Sequence, residues 1–315
     1  MRLDSICTHN PPCVATIGFF DGVHRGHRFL IEQVRREATA RGMDSAVVTF
    51  PVHPRKVLQP GFCPRLLTTR EEKLALLGGL DIDSCILLDF TPHLASLSAK
   101  DFMEVLRHRY NIRALVVGYD HRFGHNRSEG FDDYVRYGRE LGMEVLPAEA
   151  YSMPALADGR PVSSSLIRHL LQEEGDVATA AECLGYRYFI GGTVAAGRGI
   201  GHTLGYPTAN LLPGSPDKLV PANGVYAVQV DVEGRCYGGM LNIGTRPTLA
   251  NGDDRSIEVY IFDFNEDVYH RPLRLTFVRR MRGEHKFASL DGLKQQLAAD
   301  EEAVRRALQQ AEAVQ

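Results

Sequence analysis

The sequence has 315 residues, 44% of them hydrophobic and 24% charged, which is ordinary globular composition and more chain than one core usually organises. Two domains are therefore expected, and disorder is excluded. A net charge of -3 leaves no basic field for a nucleic-acid backbone or an anionic membrane, so any phosphate must be held locally.

Residues 1–12 have neither the apolar run of a secretory signal nor the arginine-rich pattern of a transit peptide. No apolar stretch approaches the roughly 18 residues of a membrane span, and a cytoplasmic location is expected. From there to about residue 150, short buried-type runs at 14–18, 45–50, 85–89, 114–118 and 143–147 alternate with amphipathic segments at 27–41, 70–78, 99–110 and 131–140. Five parallel strands with helical crossovers make a doubly wound, Rossmann-like α/β domain. A serine-capped helix at 163–172 and a short helical stretch ending at Leu184 close it, giving expected domains 1–184 and 185–315. Beyond that boundary the pattern changes to alternation between turn residues. Strands at 225–232, 236–243, 257–264 and 273–281 predict a small antiparallel β-barrel, and 289–313 predicts one amphipathic helix packed on it. The six cysteines form no C-x-x-C pair and no zinc-type cluster with histidine, so reduced thiols are expected.

Residues 15–27, A-T-I-G-F-F-D-G-V-H-R-G-H, run from a predicted strand through a glycine turn into a helix, with His24 and His27 flanking Gly26. Such a turn at the carboxyl edge of a parallel sheet presents free N–H groups and the positive end of a helix dipole to a phosphate. Imidazoles there can donate hydrogen bonds to developing phosphate charge. The segment resembles the H-x-G-H signature of the nucleotidylyltransferase superfamily, and the longer string is similar to its FMN adenylyltransferase branch. Residues 49–55 (T-F-P-V-H-P-R), 117–124 (V-G-Y-D-H-R-F-G) and 162–168 (V-S-S-S-L-I-R) are similar to further segments of that branch. The resemblance implies nucleotide or substrate contacts at Gly18, Phe19, Asp21 and Asp120. It also implies that Ser163, Ser164, Ser165 and Arg168 hold the β- and γ-phosphates and balance the charge of departing pyrophosphate.

Residues 191–211 carry a glycine-rich run, without a Walker motif or a dinucleotide fingerprint, that ends in P-T-A-N at 207–210. That tetrad resembles the riboflavin kinase motif, and 223–226, 242–248, 257–260 and 282–287 follow in that family's order. The resemblance implies Mg2+ with ATP at Thr208 and Asn210, nucleotide contacts at Gly197, Gly205 and Arg282, and Glu258 as general base. Glu258 is expected to project into a barrel mouth beside Thr208 and Asn210. Taken together, the chain resembles the bacterial bifunctional riboflavin kinase and FMN adenylyltransferase family from residue 14 to about 300. The implied chemistry is phosphorylation of riboflavin to FMN and adenylylation of FMN to FAD, in a monomer or weak homo-oligomer. The flavin comes from the resemblance alone. A kinase with an inactive N-terminal domain is the alternative, and a flavin sensor without turnover is a second rival.

Overall fold

The computed structural model describes residues 1–4, 11–59, 61–118, 121–151, 161–195, 205–245, 255–285, 287 and 289–312. By residue contacts the chain divides into two compact units, Met1–Ser164 and Ser165–Gln315.

In the first unit, β1 (Arg2–Asp4), β2 (Cys13–Ile17), β3 (Asp44–Thr49), β4 (Ser84–Leu87), β5 (Ile112–Val117) and β6 (Glu144–Pro147) form one parallel sheet in the order β1-β4-β3-β2-β5-β6. Five of these strands are the expected ones. The sixth, β1, is a three-residue R-L-D edge pairing with β4, too short and too exposed to carry a hydrophobic signal. The central strand β2 is buried at every position, as a strand covered on both faces must be. On one face, α1 (Arg25–Arg41) packs Val34 and Ala38 against Val14, Ala114 and Val116. On the other, α5 (Ala99–Arg109) and α6 (Phe131–Leu141) bring Phe102, Met103, Leu106 and Tyr134 to Ala15, Ile17 and Leu115. Shorter helices α2 (Pro54–Leu58), α3 (Arg70–Gly78) and α4 (Pro92–Ser96) complete the crossovers. The chain steps from β2 to β3 and β4 in one direction and to β5 and β6 in the other. The crevice at the carboxyl ends of β2 and β5 is thus the switch point where ligands bind such sheets.

The helix α7 (Ser164–His169) runs into a π-turn, Leu170–Glu174, and is followed by α8 (Val177–Leu184). The contact division falls ahead of residue 184 because this stretch packs on barrel residues: Ala222 N donates to Leu171 O at 2.8 Å and Arg280 Nη1 to Glu174 O at 2.7 Å. The barrel is closed and antiparallel. Its strands are β7 (Phe189–Ala195), β8 (Ala209–Pro213), β9 (Gly224–Val232), β10 (Arg235–Thr245), β11 (Arg255–Ile261) and β12 (Pro272–Arg282), in the order β10-β11-β8-β7-β12-β9. The four strands expected from alternation are present. Two more, β7 and β8, come from the glycine-rich region and lack a clean alternating pattern. Gly192 in β7 is required by close packing, since a Cβ there would lie 2.0 Å from Leu212 O. The C-terminal helix α9 (Leu290–Glu312) covers the outside of the barrel, with Val304, Ala307 and Leu308 against Val225, Ala227, Met240 and Phe262.

Candidate functional site

The first unit gathers its motif residues at the end of β2. Between β2 and α1 the backbone takes positive φ at Phe20 (55°), Gly22 (80°) and Val23 (38°). For a β-branched residue such as Val23 this conformation is strained, typically by about 1–3 kcal/mol, and needs surrounding structure to hold it. Buried Phe20 and Val23 side chains supply part of that hold. Asp21 supplies the rest: its carboxylate accepts from Leu67 N, Thr68 N and Thr68 Oγ1 at 3.1, 3.1 and 3.2 Å, and Thr68 Oγ1 accepts from Gly22 N. Asp21, expected at the nucleotide, therefore turns its carboxylate toward residues 67–68 and shapes the turn. Replacing it with alanine strands two buried backbone donors and should destabilise the first unit by about 3 kcal/mol. Urea unfolding of the full chain measures this.

The product of the turn is the histidine pair. His24 is the N-cap of α1, its Nδ1 accepting from His27 N at 3.3 Å, so its neutral form carries the ring proton on Nε2. The two rings stack with centroids 3.6 Å apart, and Phe20 packs edge-on to His27 at 5.1 Å. His27 Nδ1 is buried and has no hydrogen-bond partner. Burial first, then the neighbouring charges of His24 and Lys73, hold the His27 pKa well below its usual 6.5. The structure also brings the V-S-S segment to this turn. Ser164 Oγ donates to Asp21 O at 2.9 Å, and a Cβ on Gly26 would lie 3.7 Å from Val162 O. Gly18 is close-packed, a Cβ there meeting the Phe20 ring at 2.9 Å. The Phe19 ring lies 4.7 Å from the His53 ring and 4.0 Å from Lys73 Nζ. Ser165 and Arg168 follow on α7 and belong by contact to the second unit. Asp120 lies outside the described residues.

In the second unit, Thr208, Asn210 and Glu258 meet. Asn210 in β8 and Glu258 in β11 are direct register partners, and Thr208 Oγ1 stands 3.5 Å from Glu258 Oε2. Strand parity corrects one expectation. Glu258 shares its face with Tyr260, which packs in the layer beneath α9, so it lies on the outer, helix-facing side of the barrel and not in its mouth. The register continues from Asn210 through Glu258, Asn242 and Val225 to Arg282, one transverse row of side chains on that face. Arg282 sits three strands, or about 14 Å, from Glu258 along this row. Its guanidinium, expected at the nucleotide, grips Asp300 of α9, with Nε and Nη2 donating to Oδ1 and Oδ2 at 3.1 and 2.7 Å. Arg282→Ala leaves the buried Asp300 carboxylate without its cation and should cost about 3 kcal/mol of barrel stability, read by thermal unfolding; an added Asp300→Leu should recover much of it. Gly205 needs glycine for its φ of 85°, not for space. Gly197 lies outside the described residues. Thr208, Asn210 and Glu258 make an all-oxygen donor set, which fits a hard cation shared with substrate phosphates.

Two families match the chain in tandem: FAD synthetase over residues 6–166 and riboflavin kinase over residues 184–308. A bifunctional riboflavin kinase/FMN adenylyltransferase of Pseudomonas fluorescens is 38% identical, over 93% of this chain and 92% of its own length. The protein of that description from Escherichia coli K12 is 35% identical, over 92% of this chain and 90% of its own. The chain belongs to the bifunctional riboflavin kinase/FMN adenylyltransferase family. A solved structure from Streptococcus pneumoniae, described as a macrolide-efflux protein, shares 32% identity at a TM-score of 0.85 over 95% of both chains. Among the described residues no helix is long and apolar enough to cross a membrane.

Within this family member, two buried charged side chains escaped the motif reading. Lys73 and Leu77 form the buried stripe of α3, and Asp300 stands between Leu297 and Val304 on the stripe of α9. In each case the available signal was a charged residue at an apolar helical position.

Proposed function

We propose that the chain carries out two successive reactions, phosphorylation of riboflavin to FMN in residues 185–315 and adenylylation of FMN to FAD in residues 1–184. The stacked His24–His27 pair at the N-terminus of α1, at the switch point of the sheet, carries the assignment of adenylyl transfer. A phosphate oxygen of FMN attacks the α-phosphorus of ATP, the bond to the β-phosphate breaks, and pyrophosphate leaves. No protein nucleophile is needed, so positioning and charge stabilisation supply the rate. His24, through Nε2–H, and His27 donate to the α-phosphate. Gly18 and Phe19 line the nucleotide, as Asp120 does in the family pattern. Ser163, Ser164, Ser165 and Arg168 are assigned to the leaving pyrophosphate.

In the barrel, Glu258 takes the proton of the ribityl hydroxyl as that oxygen attacks the γ-phosphorus of ATP, and ADP leaves. Thr208 and Asn210 hold the phosphates and Mg2+, which supplies charge neutralisation on the phosphoryl oxygens. Gly197 and Gly205 let the backbone approach the nucleotide, and Arg282 acts through Asp300 and α9. The same reading takes the chain as a cytoplasmic monomer or weak homo-oligomer acting on small molecules, not on nucleic acid or membrane.

Labelled ATP tests this directly. With riboflavin as substrate, label from the γ-position should enter FMN, and label from the α-position should enter FAD only. Accumulation of γ-labelled FMN with no α-labelled product would reduce the chain to a kinase. No labelled flavin at all would favour a flavin sensor.

A further inference from the structure

Lys73 takes part in no step above, yet it is 2% exposed and stands directly behind the adenylyl site. Burying an ammonium costs several kcal/mol unless each of its protons finds an acceptor. Here all three do: Nζ donates to Phe19 O at 3.0 Å, Thr49 Oγ1 at 3.3 Å and Phe50 O at 2.8 Å. The Phe19 ring lies across the same charge at 4.0 Å. These acceptors have a shared place in the topology. Phe19 O follows β2, while Thr49 ends β3 and Phe50 follows it, and Thr49 Oγ1 donates back to Phe19 O at 3.2 Å. One cation in α3 thus joins the segment that leads to His24 to the segment that leads to His53. The apolar stripe of α3 alone does not call for a charge at this position; the acceptors at the ends of β2 and β3 do.

We propose that Lys73 is a positioning residue for adenylyl transfer, its ammonium locking the carboxyl ends of β2 and β3 together so that the histidine turn and the His53 loop hold one geometry for the nucleotide. The inference rests on reading the first unit as the adenylyl site. It acts through distance and through charge. By distance, it fixes Phe19, the residue two places before the Asp21 clamp. By charge, it is one of the groups facing His27, with His24 the other and the Phe20 ring between helix and turn. Burial lowers the Lys73 pKa to about 8, with Asp21 and Cys85 opposing that shift and Arg70 adding to it. At neutral pH the ammonium is therefore still charged and disfavours protonation of His27.

The test compares wild type with Lys73→Met, Lys73→Arg and Thr49→Val for FAD formation from supplied FMN across pH 5.5 to 8, with urea unfolding of the same preparations as the check on folding of the first unit. Lys73→Met should lower adenylylation kcat by about 30-fold with a much smaller change in KM for ATP, as expected for loosened positioning. Its pH profile should shift toward neutral pH, because His27 loses a positive neighbour and takes up its proton at a higher pH. Lys73→Arg should restore the pH profile while recovering only part of kcat, and Thr49→Val should lower kcat by a few fold with the pH profile unchanged. A purely structural lysine would reduce the amount of folded enzyme without moving the pH profile. If Lys73→Met does not fold, Lys73→Arg and Thr49→Val still decide: wild-type kcat in both overturns the proposal. Wild-type kinetics in Lys73→Met overturns it as well. A wild-type chain that forms no FAD overturns the adenylyl reading itself, before any variant is compared.

Discussion

His27→Ala should abolish FAD formation while leaving riboflavin phosphorylation within about two-fold of wild type. Removing one preorganised donor to a developing phosphoryl charge typically costs 10²–10³ in kcat, and His27 also supports His24 through the stacked contact, so a loss of about 10³-fold is expected. The kinase reaction should be spared because Asn210 and Glu258 on barrel strands, and Thr208 just ahead of β8, belong to the other compact unit. Separate assays of FMN to FAD and riboflavin to FMN read the two effects, and equal loss of both would contradict separate sites. The substitution has a stability signature too. The His27 pKa is lowered by burial, by His24 and by Lys73, so the native chain stays unprotonated at this ring while the unfolded chain takes up a proton below pH 6.5. The unfolded state then binds more protons, and stability falls with pH below 6.5. In His27→Ala that part of the acid destabilisation should vanish, as measured by urea unfolding at pH 7 and pH 5.5.

Glu258→Gln should have the mirror-image effect. It keeps the size of the side chain and its place opposite Asn210, but removes the group that accepts the hydroxyl proton. General-base contributions are typically 10²–10⁴, so riboflavin phosphorylation should fall by about 10³-fold while FAD formation from supplied FMN stays near wild type. Because Glu258 is only half-buried and its neighbours Thr208 and Asn210 remain, the unfolding midpoint should hardly move. A loss below about ten-fold would remove Glu258 from the base role and leave it as a phosphate- or metal-site carboxylate.

The sequence made the strongly periodic parts of the molecule legible. The parallel strands announced themselves as continuous apolar runs because both faces of the sheet are covered, and α9 did so through its stripe at Leu290, Leu293, Leu297, Val304 and Leu308, of which Leu297, Val304 and Leu308 pack on the barrel while Leu290 is exposed. The elements missed were those whose residues are dictated by something other than burial. The edge strand β1 is too exposed to show a pattern, and β7 carries Gly192 because a neighbouring strand leaves no room for a side chain there. At the sites, the family resemblance pointed to His24, His27, Thr208, Asn210 and Glu258, and the fold brings His24 to His27 and Thr208 and Asn210 to Glu258. What spacing could not reveal is which polar groups are already engaged. Asp21 is committed to Leu67 and Thr68, and Arg282 to Asp300; their motif positions are the same whether the side chain faces a ligand or its own backbone. The face of Glu258 was a question of parity, settled only once the register with Asn210 and Asn242 fixed which side of the barrel it occupies.

The central claim is that residues 185–315 form FMN and residues 1–184 convert it to FAD, and mixing the two variants tests it most directly. With riboflavin, Mg2+ and ATP, His27→Ala alone should stop at FMN, Glu258→Gln alone should form almost no flavin nucleotide, and the two together should produce FAD at a rate set by the FMN released. If both variants lose both reactions and their mixture yields no FAD, the two sites are not independent and the assignment of one reaction to each unit is wrong.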